Sequence, residues 1–142
     1  MGIDYFPMPA STASPASVVR AVHAALASAT VGVTGLLVLL RRAPGIGPAP
    51  LLLYAVFAIA AIMFAGALVV AGRIPRLAAG EDEAAWWRVT LPRAVAVWAM
   101  LEGPAFLAGM AHFLTGSWLP LVVPAVALFL FGLTAPGRLR EG

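Results

Sequence analysis

Apolar residues fill positions 17–40, 50–72, 92–114 and 118–135, and short polar, Pro- or Gly-rich segments separate them. A helix needs about 20 apolar residues to cross the hydrocarbon core of a bilayer. The first three runs meet that length, and the fourth barely does. The pattern predicts an all-α polytopic membrane protein with four transmembrane helices in a single membrane domain, 1–142. Residues 1–15 are rich in Pro, Ser and Ala, with no basic segment followed by an apolar core. They are expected to form a flexible tail rather than a cleaved signal peptide.

The punctuation of the runs is specific. Ser14-Pro15 reads as a helix N-cap with proline in the first turn. Arg41 to Pro48 is a Pro- and Gly-rich turn, expected to close an antiparallel hairpin between the first two spans. Residues 73–91 form the one substantial polar segment. Within it, Glu81-Asp82-Glu83 places negative charge where a helix begins. Consecutive acids cannot all face one ion from a helix, so they read as a solvated cap and not as a metal site. Trp86-Trp87-Arg88 follows and predicts a short interfacial helix lying on the membrane between the second and third spans. Pro124 is expected to bend the fourth span.

Composition sharpens this picture. The chain is 62% hydrophobic and 11% charged, against roughly 25% charged in soluble domains, so lipid must be its main solvent. Nine arginines and no lysine or cysteine are present. The arginines flank apolar spans and form no basic stripe, which argues against nucleic acid as a partner. Seven of them (Arg20, Arg73, Arg76, Arg88, Arg93, Arg138, Arg140) fall on one side of the predicted topology, and Arg41 and Arg42 fall on the other. The positive-inside rule then places both termini and the 73–91 segment in the cytoplasm, with the protein in a bacterial cytoplasmic membrane. Of the two histidines, His23 is expected at the interface.

Within the spans there is one carboxylate, Glu102, near mid-depth of the third. An ionised carboxylate there costs at least ~2.5 kcal/mol, so it must be paired, protonated or lining water. Gly103 and Pro104 follow it, and Pro104 deprives the Met100 carbonyl of its helical partner. On a helical wheel Trp98, Glu102, Ala105, Phe106 and Gly109 share one face. Trp98 and Phe106 are expected to pack on the carboxyl and keep it largely neutral. Arg93 falls on the opposite face and cannot pair with it. In the first span Ala24, Ser28 and Gly32 form a small-residue ridge suited to close helix packing.

Residues 93–138 carry Arg93, Leu101-Glu102-Gly103-Pro104-Ala105, Leu114-Thr115-Gly116 and Pro136. This set resembles the C-terminal half of a group of uncharacterised bacterial four-span inner-membrane proteins with an "LEGPA" motif. The Glu102 helix is also similar to the carboxylate helix of ATP-synthase c subunits. The extra first and fourth spans, the longer loop and the lack of a strict Gly-x-Gly repeat depart from that pattern, so rotary function is not carried over. The resemblance implies only that Glu102 is the position to test.

No HExxH, GxSxG or phosphate-binding glycine loop is present, and no metal-ligand set or cofactor motif accompanies them. The expectation is a non-enzymatic accessory or scaffold subunit. It would pack in the bilayer with itself or with a larger membrane complex, and it would need no cofactor. The alternative is proton or cation translocation through Glu102.

Overall fold

The structure, a computed structural model, describes residues 14–41 and 49–141. Those residues form α1 (Pro15–Leu40), α2 (Pro50–Ala71), α3 (Glu83–Thr115), a single 3-10 turn at Leu119–Leu121, α4 (Val122–Leu133) and a short α5 (Pro136–Glu141). Helices α1, α2 and α3 are long and apolar enough to cross a membrane. The tail expected over 1–15, except for Ser14 and Pro15, lies outside the described residues. So does most of the turn expected over 41–48, including Arg42.

The caps are the ones the sequence announces. Ser14 caps α1, its Oγ accepting from the Ser17 N–H at 3.3 Å, with Pro15 as the first helical residue. Asp82 caps α3 through the Ala84 N–H at 3.0 Å, and Glu83 opens the first turn. Glu81 turns away from that cap to accept from the Ala78 N–H at 3.0 Å. Gly116 ends α3 in the left-handed region, at φ 76°, and its N–H returns to the His112 carbonyl.

Helix α3 is the centre of the bundle. It packs against α1, α2 and α4, whereas α1 and α2 hardly touch each other. The hairpin expected between the first two spans is therefore split, because α3 lies between its arms. The contacts of α3 set the helix directions. His23 meets Trp98, and Thr34 lies beside Gly109, so α1 runs parallel to α3. Gly66 faces Met100, and Val56 and Ala60 cluster with Ala108 and Ala111, so α2 is antiparallel to it. Small residues carry the closest approaches. A Cβ on Gly109 would come within 3.0 Å of Leu37 Cδ1, the geometry that lets helix backbones meet in lipid.

Two expectations need correction here. The 83–91 segment is not a separate interfacial helix but the opening of α3, which runs unbroken for 33 residues through Pro92 and Pro104. Trp86 and Trp87 are buried, at 4% and 2% exposure, rather than lying on a membrane surface. Their rings meet edge-on at 4.5 Å. The Trp86 Nε1–H donates to the Pro75 carbonyl at 3.0 Å, and the Trp87 Nε1–H donates to Glu83 Oε1 at 3.3 Å. Burial recurs at Trp86, Trp87, Thr90, Ala94, Val97, Trp98 and Leu101, so a single stripe passes through Pro92 without interruption.

The second correction concerns the fourth span. The apolar helical segment Leu119–Leu133 is roughly 23 Å long at the helical rise, short of the ~30 Å core. Pro124 sits in the first turn of α4, directly after the 3-10 turn Leu119–Leu121.

Candidate functional site

A helix of apolar residues still carries polar backbone at its ends, and in lipid those groups need partners within the protein. Helix α4 ends inside the bundle, and its terminal carbonyls are capped by side chains from two other helices. The His23 Nε2–H of α1 donates to the Phe131 carbonyl at 3.1 Å. The acceptor is a carbonyl, so Nε2 carries the proton. The Trp98 Nε1–H of α3 donates to the Thr134 carbonyl at 3.0 Å. Thr134 folds back on the Leu130 carbonyl through both its N–H and its hydroxyl, each at 2.9 Å. The His23 ring stands edge-on to Trp98 at 4.9 Å and to Phe131 at 5.6 Å. His23 is thus a partly buried clamp between α1 and α4. Nothing near His23 in sequence announces this, since its partners lie on α3 and α4. The available signal is the shortness of α4, which leaves carbonyls to be capped from elsewhere.

The opposite end of the bundle is less complete. His112 is 1% exposed. Its Nδ1–H donates to the Ser117 carbonyl at 2.8 Å, and Trp118 lies against its ring at 4.7 Å. Among the described residues its Nε2 has no hydrogen-bond partner, nor do the buried Thr34 Oγ1 and Arg41 Nε. The Arg41 guanidinium lies over Gly116, in the space a Cβ would take.

Glu102 sits between these two ends. The contacts His23–Trp98 and Thr34–Gly109 share one register, and that register puts Glu102 level with Ala27, halfway along α1. The predicted face divides there. Trp98, Ala105 and Gly109 turn inward and are buried, whereas Glu102 and Phe106 stay at the edge and are partly exposed. The Trp98 indole N–H is committed to the Thr134 carbonyl at the end of α4. Among the described residues Glu102 has neither a hydrogen bond nor an ion pair. Gly103 is exposed with nothing within 4 Å of a Cβ built on it, and Pro104 is buried.

The small-residue ridge also faces outward. Ala24, Ser28 and Gly32 are all exposed, and a Cβ on Gly32 would meet nothing within 4 Å. Ser28 and Gly32 line an open cavity of about 370 Å³ with Ala27, Val31 and Leu128. No three histidines, aspartates or glutamates converge among the described residues. The chain matches no protein-family model, no curated protein and no solved structure.

Proposed function

We propose that this protein is a non-enzymatic membrane subunit that joins a second copy or a larger membrane complex through the outer edge of α1 and α3. The observation that carries this reading is Glu102. It is the one carboxyl within the four apolar runs, it lies midway along the bundle, and it is partly exposed at the bundle's edge with no hydrogen bond or ion pair among the described residues. A polar group in hydrocarbon gains from a hydrogen bond across a helix interface. The exposed ridge Ala24, Ser28, Gly32 supplies a surface on which another helix can approach closely. Proton or cation translocation through Glu102 is the second reading, favoured by the same outward placement of an intramembrane acid.

Replacement of Glu102 separates the two. For a structural donor, Glu102→Gln keeps a donor and the side-chain volume, so assembly and thermal stability stay near wild type. Glu102→Leu then weakens assembly by about 1 kcal/mol, the scale of an interhelical hydrogen bond in lipid. For a translocation site, Glu102→Gln abolishes proton flux into liposomes while the fold survives. Size-exclusion analysis of the purified variants, run beside the flux assay, reads both. Flux that is lost in the Gln variant would overturn the subunit reading.

The same proposal places the arginine-rich end of the bundle in the cytoplasm of a bacterial cell. Single cysteines can be introduced without background, because the chain contains none. A cysteine at Leu119 is expected to react with an impermeant thiol reagent applied to intact cells. A cysteine at Gly80 is expected to react only after lysis, and the reverse pattern would invert the topology.

A further inference from the structure

Where the first turns of α1 and α3 meet α5, a cavity of about 190 Å³ is lined by Ala16, Arg20, Glu83, Trp87, Pro136, Gly137 and Arg140. Its charges are not equivalent. Glu83 Oε1 accepts from the Trp87 indole at 3.3 Å and pairs with Arg140 Nη1 at 3.3 Å. That carboxylate is therefore already committed. Arg140 also meets Glu141 at 3.4 Å, through its other terminal nitrogen. Arg20 differs from both. Its Nε–H donates to the Ala16 carbonyl at 3.2 Å, which fixes the guanidinium at the cavity wall. Its terminal amines have no carboxylate among the described residues. Trp87 also borders a second cavity, about 210 Å³, whose other lining residues are Pro15, Val18, Val19, Arg88 and Leu91 and which is mainly apolar.

We propose that the first cavity binds the phosphodiester of an anionic phospholipid, with Arg20 as the principal contact and Trp87 as the floor. Three features carry this. A guanidinium with free terminal N–H groups presents the fork that phosphate oxygens accept. Arg140 is committed to Glu83 and Glu141, so Arg20 is the one cation lining the cavity that has no carboxylate among the described residues. The committed Glu83 has little to offer a cationic headgroup, so an anionic lipid is preferred over a zwitterionic one. The apolar cavity beside Trp87 gives room for the start of an acyl chain. The inference rests on the protein lying in a bilayer and is independent of the role proposed for Glu102.

The test uses the full chain in a neutral detergent, with phosphatidylglycerol, phosphatidylcholine of the same acyl chains, and inorganic phosphate as probes. Native mass spectrometry reads the lipid retained per chain. Phosphatidylglycerol is expected to bind more tightly than phosphatidylcholine. Arg20→Gln should weaken it about fivefold, the scale of one arginine at a lipid surface. Arg20→Lys, which keeps the charge, should lose less. Arg73→Gln removes an equal charge at the same end of the bundle but outside the cavity, and should leave binding unchanged. Arg20 is exposed and makes only a local bond within its own helix, so its variants should keep the fold. Equal retention of the two lipids would overturn the proposal. Equal losses in Arg20→Gln and Arg73→Gln would do so too, because the attraction would then be diffuse. Displacement of the lipid by inorganic phosphate alone would mark a site for a soluble anion instead.

Discussion

Trp98→Ala is expected to destabilise the protein by about 3 kcal/mol, the lower end of the range for emptying a buried tryptophan site. The side chain is 0% exposed. In lipid the transfer gain of burying an apolar group between helices is largely absent, so the loss is mainly packing and hydrogen bonding. Both are concentrated at this position. Removing the indole empties the junction of α1, α3 and α4, takes away the edge-on partner of His23, and leaves the Thr134 carbonyl without its donor. Trp98→Phe keeps most of the volume but no N–H, and should cost about 1 kcal/mol, the scale of one interhelical hydrogen bond in lipid. Thermal unfolding in detergent micelles reads both variants. Equal losses in Ala and Phe would mean that the hydrogen bond, and not the packing, holds the junction together.

Gly116→Ala should be the costliest glycine-to-alanine change among the described residues. Two independent penalties meet there. The backbone is left-handed at φ 76°, a conformation that costs a residue with a Cβ roughly 1–2 kcal/mol. The space for that Cβ is already filled by the Arg41 guanidinium. The second penalty is separable, because Arg41→Ala removes the obstruction and leaves the backbone strain. A double-mutant cycle should therefore show Gly116→Ala costing less in the Arg41→Ala background than in the wild type. Additive losses would mean that the arginine moves aside without cost.

The long apolar helices could be read from the sequence because their signals are local. Ser14-Pro15, Asp82 and Gly116 bound helices through groups only a few residues away, and run length alone identifies the three long spans. Trp86-Trp87-Arg88 was harder to read. Paired tryptophans beside an arginine have the composition of a surface helix, but their spacing to Thr90, Ala94 and Leu101 continues one buried stripe. Spacing decided the outcome, and composition misled. The position of Glu102 midway along the bundle was also legible, since position along a helix follows from the rise per residue. Which groups surround it was not. Trp98 shares its wheel face, but the ring is drawn inward by a carbonyl on α4, 36 residues away in the chain. His23 is drawn in by a carbonyl 108 residues away. Contacts of that range depend on how the helices dock, and no local pattern encodes docking.

The capped end of α4 also bears on how the chain is made. A ribosome makes α1 and α3 before α4, so the donors His23 and Trp98 precede the carbonyls of Phe131 and Thr134 that they cap. The short α4 thus meets donors that were made before it. Chain order and hydrogen-bond order therefore coincide, and α4 docks on three long helices that precede it in the chain.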